Sequence, residues 1–294
     1  MNRPTLILLV GVPGGGKTTY AKKYISKHEN TIHLSSDLTR KELWGDEVTQ
    51  CDPSEVFSLM QKRAIEALNN GKSVVYDATN ITRQDRAHII SKCPKFTKIE
   101  AHIIWAPIET CIERDATRER TVGKDVIDKM LKRFHAPYYD EGIDEINVIF
   151  PDGFDHCVYT DWLLPTCDIP HDNPHHALNI KEHCIVAFKY AAMNFRDRDL
   201  SLAALYHDIG KPYTKGFVDT KGNPCETAHY YQHHNVGSYM SYGIASLLVE
   251  DVVHIAWLIS THMEPFFDSK YYQHLPPYLK TKIDLLHEAD LAAH

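Results

Sequence analysis

The chain has 294 residues, of which 43% are hydrophobic and 24% charged, and its formal net charge is -7. The length accommodates two domains of ordinary size, and the composition is that of a soluble globular protein. The negative balance excludes a broadly basic nucleic-acid coat but leaves room for a local basic groove that takes in a strand end.

The N-terminus carries one early Arg and no processing site, so no signal peptide is expected. No apolar run reaches the length of a membrane span, and the expected location is cytoplasmic. Residues 5–10 form an apolar run that predicts a buried strand. The turn Gly11-Val12-Pro13-Gly14-Gly15-Gly16 follows, then Lys17, Thr18 and Thr19 at the start of a helix. Strand, Gly-rich turn and helix in this order make a phosphate cradle. Backbone N–H groups face the anion, Lys17 reaches the β- and γ-phosphates, and Thr18 holds Mg²⁺. The positive end of the helix points at the same phosphates.

Further strands are predicted over residues 31–35, 73–76, 98–105 and 146–150. Helices are predicted over residues 53–69, 82–90, 108–118 and 123–134, with another following a cap at Ser36-Asp37. Alternating strands and helices imply a parallel sheet covered on both faces. Ligands in such folds sit beyond the C-terminal ends of the strands. Gly16, Asp37 and Asp77 each follow a strand and converge on one crevice. Asp37 and Asp77 are the two candidates for orienting the magnesium water shell or the acceptor. Asp37 and Arg40, three apart, share a helix face. The carboxylate can take a proton from an attacking hydroxyl, and the guanidinium can clamp an acceptor phosphate. Arg114, Arg118 and Arg120 precede Gly123 and suggest a lid that closes over ATP.

These residues resemble the P-loop polynucleotide 5′-hydroxyl kinase family. The matching pieces are the glycine-rich stretch from Gly11 to Thr19, Ser-Ser-Asp-Leu-Thr-Arg ending at Arg40, Tyr-Asp-Ala-Thr-Asn ending at Asn80, and the Arg-rich segment from Arg114 to Arg120 followed by residues 126–134. The resemblance covers roughly the first half of the chain. It implies that Asp37 is the general base for a 5′-OH, that Arg40 contacts the acceptor phosphate, and that Arg118 or Arg120 contacts the phosphates of ATP.

Phe150-Pro151-Asp152-Gly153 is a turn signal, and Pro165, Pro170 and Pro174 keep the following chain non-helical. The expected organisation is therefore a first domain over residues 1–151, a linker over 152–174 and a second domain over 175–294. The second half is read as helical almost to its end, with no sheet. Its apolar stripes include Ile180, Cys184, Ala187 and Phe188, then Val236, Met240, Ile244 and Leu247. Thirteen of the 19 His fall from His171 onward, a change in composition for which metal chemistry is one reason. The 7 Cys form no CxxC pair, which speaks for reduced thiols and against a disulfide frame or a Cys-ligated zinc site.

His183, His207-Asp208, His233, His262 and Asp290 follow one another along these helices. Imidazole and carboxylate suit Mn²⁺, Fe²⁺, Co²⁺, Ni²⁺ or Zn²⁺ to differing degrees. An Asp208 that bridges two ions leaves His207 on one of them, and two close ions activate the attack on a phosphoester. Lys211 can stabilise the phosphate. The stretch from Leu202 to Pro212 around His207-Asp208 resembles the signature of the HD phosphohydrolase superfamily. That resemblance implies His183, His207, Asp208 and Asp290 as the basic ligand set. It implies His233 and His262 as the extra ligands of dinuclear members, with His176 and His234 as nearby alternates.

Taken together, the expectation is an α/β P-loop kinase with a parallel sheet, followed by an all-α HD domain. The pairing resembles the bifunctional nucleic-acid end-healing enzymes. It implies ATP with Mg²⁺ in the first half, a divalent transition metal in the second, RNA or DNA ends as substrate and a nucleic-acid ligase acting downstream. The alternatives are a nucleoside or small-metabolite kinase fused to an HD nucleotidase, and a non-catalytic nucleotide-gated binding protein.

Overall fold

The computed structural model describes residues 3–45, 52–173, 177–244 and 251–293. Pro174, His176 and Leu247 of the sequence reading lie outside those residues. The chain divides into two units: Met1–Met130 with Pro137–Gly153, and Leu131–Ala136 with Phe154–His294.

In the first unit β1 (Thr5–Val10) carries five consecutive apolar residues, Leu6 to Val10, all fully buried. A central parallel strand covered on both faces needs such a run. It is followed by α1 (Lys17–Ile25), β2 (Thr31–Ser35), α2 (Ser36–Trp44), α3 (Pro53–Asn69) and β3 (Ser73–Asp77). Then come α4 (Arg83–Ile90), β4 (Lys98–Ile104), α5 (Ile108–Ala116), α6 (Lys124–Leu131) and β5 (Glu145–Ile149). The sheet order is β2-β3-β1-β4-β5 and every pairing is parallel. From β1 the chain runs out to β2 and back to β3 on one side, then crosses to β4 and β5 on the other, so the strand order reverses at β1. The crevice at that switch point lies beyond the end of β1, where the glycine-rich turn begins.

Local chemistry sets the element ends. The cap of α2 is Ser35, whose hydroxyl accepts from Leu38 N, and not the Ser36-Asp37 pair. Asp37 is thereby free of capping duty. A reciprocal capping box joins Thr82 and Asp85 at the start of α4. The helix read over residues 108–118 stops at Ala116, so Arg118 lies past its end.

The second unit holds α7 (His156–Leu163), α8 (Ile180–Asn194), α9 (Arg198–Tyr206), α10 (Lys211–Thr214), α11 (His233–Ser241) and α12 (Val252–Thr261). The last helices are α13 (Glu264–Phe267), α14 (Lys270–His274) and α15 (Pro277–Leu291). Helices α8, α9, α12 and α15 pack on one another, and α11 packs on α12. Among the described residues no helix is long and apolar enough to cross a membrane.

Two details depart from the sequence reading. Residues 152–174 are not helix-free, because Asp155 caps α7 by accepting from Cys157 N at 2.9 Å and Val158 N at 3.2 Å. The prolines act only after α7, where Pro165 opens a short 3₁₀ turn. The helical half also contains an antiparallel pair, β6 (Gly216–Val218) and β7 (Pro224–His229). Its turn is held by Asp219 Oδ1, which accepts from Lys221 N and Asn223 N at 2.8 Å each.

Candidate functional site

The first unit has a crevice of about 1030 Å³ lined by Gly14, Gly15, Gly16, Lys17, Thr18 and Thr19 on one side. Asp37, Arg40, Asp77, Arg114, Arg118 and Arg120 line it as well. Residues distant in sequence and read as candidates are therefore gathered round one space. Gly14 shows why the turn needs glycine: its φ is +78° and an added Cβ would stand 2.1 Å from Cys111 O. Lys17 Nζ donates to Gly11 O and Val12 O, 2.9 Å each, which holds the ammonium at the turn. Burial lowers the Lys17 pKa, and Asp77 opposes that shift.

Thr18 Oγ1 donates to Asp77 Oδ2 at 2.9 Å, joining the start of α1 to the end of β3. His33 Nε2 lies 3.0 Å from the same oxygen. The sequence reading missed His33. Its signal was register: β2 pairs with β3 so that Ser35 stands beside Asp77, and His33 lies two residues back on the same face. A hydroxyl beside a buried carboxylate is a suitable pair of oxygen donors for Mg²⁺ and its water shell.

Asp37 is the acidic group at the open side, with 41% of its side chain exposed. Its Oδ1 accepts from Arg40 Nη1 at 3.0 Å and from Arg120 Nη1 at 2.7 Å. The predicted Asp37–Arg40 pair thus forms, and Arg120 joins it. Arg118 stands apart, 4.0 Å from Asp115 and close enough to Lys17 to help lower its pKa. Asp115, overlooked among the charges of the Arg-rich stretch, is buried. Its Oδ2 accepts from Val122 N at 3.0 Å and Gly123 N at 2.9 Å, which ties down the turn that presents Arg120.

In the second unit His183, His207, Asp208, His233, His262 and Asp290 are all buried, and they meet. The turn after α9 brings Asp208 to α11. Gly210 is required there, since an added Cβ would lie 2.1 Å from His233 O. His183 Nε2 is 2.9 Å from Asp290 Oδ1 and 3.2 Å from His207 Nε2. His207 Nε2 is 3.3 Å from Asp208 Oδ2 and also from Asp290 Oδ1. On the other side His233 Nε2 is 3.2 Å from Asp208 Oδ1 and 3.2 Å from His262 Nε2. Asp208 therefore offers one oxygen to each half. Lys211 Nζ is 2.6 Å from Asp208 Oδ2.

The donor set fits divalent metal. Each imidazole places Nδ1 against a backbone carbonyl: His183 on Ala293 at 3.2 Å, His207 on Ala204 at 2.8 Å, His233 on Tyr230 at 2.9 Å and His262 on Ile259 at 2.8 Å. A carbonyl only accepts, so Nδ1 carries the proton and Nε2 faces inward, where its lone pair can take a metal or a second proton. Two nitrogens 3.2 Å apart, each at a zinc-type bond length of about 2.1 Å, subtend ~100° at a shared ion, an ordinary coordination angle. Two trios are close enough to hold an ion: His183, His207 and Asp208, and Asp208, His233 and His262. Burial pulls the His207 pKa down, but Asp208 and Asp290 outweigh it and push it up to about 10. Burial and the neighbouring imidazoles of His233 and His207 push His262 down to about 3. The half with two carboxylates demands positive charge, and a cation meets that demand by displacing the proton.

Residues 6–137 match the model of the AAA domain family, and residues 180–289 match that of the HD domain family. A stretch of 155 residues is 27% identical to "Transcription factor bHLH140" of Arabidopsis thaliana, covering 50% of this chain and 16% of that protein. A stretch of 141 residues is 29% identical to "L-seryl-tRNA(Sec) kinase" of Methanococcus maripaludis, covering 45% of this chain and 53% of that protein. The chain thus spans about half or less of the length of these curated relatives. Among solved structures, the Pnkp1/Rnl/Hen1 RNA repair complex is similar over 45% of this chain and 44% of the matched chain, at 24% identity and a TM-score of 0.42. A kinase-like P-loop domain is followed by an HD domain, and the two indicate an enzyme.

Proposed function

We propose that this enzyme heals nucleic-acid ends. The first unit phosphorylates a 5′-OH of RNA or DNA at the expense of ATP. The second removes a 2′- or 3′-phosphate, or opens and removes a 2′,3′-cyclic phosphate. The observation that carries the reading is Asp37, a carboxylate at the open side of the Lys17 crevice, held by Arg40 and Arg120.

Asp37 accepts the proton of the 5′-OH as its oxygen attacks the γ-phosphorus. The new O–P bond forms while the bond from γ-phosphorus to the β,γ-bridging oxygen breaks, and ADP leaves. Lys17 faces the charge that grows on the bridging oxygen. Arg120 can turn from Asp37 to the transferring group, and Arg40 to the phosphate of the acceptor strand. Thr18 and Asp77 would hold Mg²⁺, which neutralises phosphate charge when bound.

In the second unit His183, His207, Asp208 and Asp290 would hold one ion, and His233, His262 and Asp208 the other. Such a pair supplies Lewis-acid charge for attack of water on phosphorus. Lys211 offers its ammonium to the phosphate beside Asp208. Departure of the ribose oxygen leaves a hydroxyl. The resulting 5′-phosphate and 3′-hydroxyl are the pair that a nucleic-acid ligase joins.

The test is an oligonucleotide with a 5′-OH and a 2′,3′-cyclic phosphate, given ATP, Mg²⁺ and separately Mn²⁺, Ni²⁺ or Co²⁺. Both ends are followed by mass. Gain of the 5′-phosphate disappears in Lys17→Ala alone, and loss of the terminal phosphate disappears in Asp208→Ala alone. An unchanged oligonucleotide alongside phosphorylated free nucleosides would overturn the reading in favour of a small-molecule kinase joined to a nucleotidase.

A further inference from the structure

Helix α13 begins two residues after His262 and ends in two phenylalanines. Both are exposed, Phe266 by 53% and Phe267 by 62%. Single exposed apolar residues are ordinary, but an adjacent aromatic pair beside a metal-type centre is not. The rings are also positioned. Phe266 stands edge-on to His287, with centroids 4.4 Å apart. His287 lies three residues before Asp290 on α15, on the neighbouring turn. The Phe267 ring is 6.5 Å from that of His234, which is in turn 5.6 Å from His233 and 6.1 Å from His262. One phenyl therefore adjoins His287 on the helix of Asp290, and the other adjoins His234, the ring next to His233 and His262. The turn that carries them is tied by Asp268 N donating to Glu264 O at 2.8 Å and Gln273 Nε2 donating to Asp268 O at 3.0 Å.

We propose that Phe266 and Phe267 form the nucleobase platform of the HD centre, stacking the base of the nucleotide whose phosphate is hydrolysed there. This rests on the HD unit acting on a phosphate ester. A 2′- or 3′-phosphate and its base hang from one ribose, so a centre that holds the phosphate presents the base at its rim. Every base has a π-face, so two phenyl rings select nucleotides over base-free phosphoesters without choosing among bases.

The test uses the full chain loaded with Mn²⁺ or Ni²⁺ and compares adenosine 2′-phosphate with glycerol 2-phosphate. The double variant Phe266→Ala, Phe267→Ala raises KM for the nucleotide about tenfold, the scale of one lost base stack. Its kcat, and both constants for glycerol 2-phosphate, stay within roughly twofold. Phe267→Trp keeps the nucleotide preference. Equal losses on both substrates overturn the proposal, because rings that only support the fold do not distinguish a base. An unchanged KM overturns it too, including the case where the variant abolishes self-association in sedimentation and the rings meet a second copy. Failure of the wild type on both substrates ends the phosphohydrolase reading instead. The platform is then judged by fluorescence anisotropy of a 5′-fluorescein oligonucleotide with the kinase-like crevice filled by excess tripolyphosphate and Mg²⁺, which carry no base. Weaker binding by the double variant upholds it, and equal binding removes it.

Discussion

Arg120 Nη1 donates to Asp37 Oδ1 at 2.7 Å across 83 residues of chain. The contact ties the segment after α5 to the carboxylate proposed above as the general base. It gives the two groups separable kinetic signatures. Asp37→Asn keeps the shape and removes the base, so kcat for 5′ phosphorylation falls about 10²- to 10⁴-fold while KM for ATP holds. Arg120→Ala falls about 10²- to 10³-fold, the cost of one charge-stabilising donor, and exceeds the effect of Arg118→Ala. Steady-state kinetics with a 5′-OH oligonucleotide measure all three. An Asp37→Asn enzyme with full kcat would remove Asp37 as the base.

Asp208 divides its oxygens between His207 at 3.3 Å and His233 at 3.2 Å. Losing a shared ligand must affect both halves, whereas losing His262 affects one. Elemental analysis after metal loading and desalting is expected to find about two ions per chain in the wild type, about one in His262→Ala and fewer than one in Asp208→Ala. Equal retention in the two variants would contradict a bridging carboxylate.

The phosphate-binding turn was legible because its chemistry is local: strand, glycines, Lys17 and Thr18 are contiguous. The same holds for His207-Asp208. What stayed hidden depends on packing between distant segments. His33 reaches Asp77 only through the β2–β3 register, and Asp115 looked like one charge among many until its carboxylate met Val122 N and Gly123 N. Of the two arginines read as candidates for the ATP phosphates, Arg120 stands on Asp37 while Arg118 acts on Lys17, a division that no local pattern in the sequence marks. Helix α7 is hidden in the sequence because the prolines that follow it mark a break, while the residue that starts it is the cap Asp155. The β6–β7 pair is too short for a period-two pattern to emerge above turn residues.

Gly210 sets the reach of Asp208. Its hydrogen faces His233 O where a methyl group would stand at 2.1 Å, and the obstacle is backbone on both sides. Gly210→Ala must push the turn away from α11. The expected results are a Tm lowered by several degrees, about 1–3 kcal/mol of overpacking, and loss of metal from the His233 half first. Calorimetry and metal analysis on one preparation test both. A variant with wild-type Tm and metal content would show that the turn has slack.

On β4, Glu100 accepts from His102 at 3.0 Å and pairs with Lys98 at 2.7 Å. The hydrogen bond from His102, with Lys98 adding to it, lowers the Glu100 pKa to about 2 against an ordinary value of 4.5. A depressed carboxylate contributes stability that is complete above its unfolded pKa. Between pH 4.5 and 2 the unfolded chain binds the proton first, so that contribution is lost as pH falls. The full shift corresponds to about 3 kcal/mol, which solvent screening of this partly exposed carboxylate lowers, and Glu100→Gln is expected to flatten this part of the acid-stability curve. Urea unfolding at stepped pH measures the slope, and an unchanged slope in the variant would assign the acid sensitivity elsewhere.

Arg86 and Glu141 form an ion pair with almost no exposure, 0% and 1% of their side chains. Arg86 Nε and Nη2 donate to the two oxygens of Glu141 at 2.7 and 2.6 Å, and Nη1 donates to Asn80 O at 3.0 Å. Asn80, itself at a positive φ of 46°, donates through Nδ2 to Leu9 O at 2.8 Å. The pair thereby anchors the turn after β3 to the end of β1, immediately beside Asp77 and the glycine-rich turn. Removing one member leaves the other charged and buried, which costs about 3–5 kcal/mol. Arg86→Ala and Glu141→Ala are each expected to unfold at lower urea. Arg86→Met with Glu141→Leu, which removes both charges of the pair, should recover most of that stability even though Arg83 loses its 3.8 Å partner in Glu141, since a buried pair and apolar packing of similar volume are close in free energy. The recovered protein still lacks the donor to Asn80 O, so its stability returns while KM for ATP stays raised. A double variant with normal KM would mean that the glycine-rich turn holds its shape without this anchor.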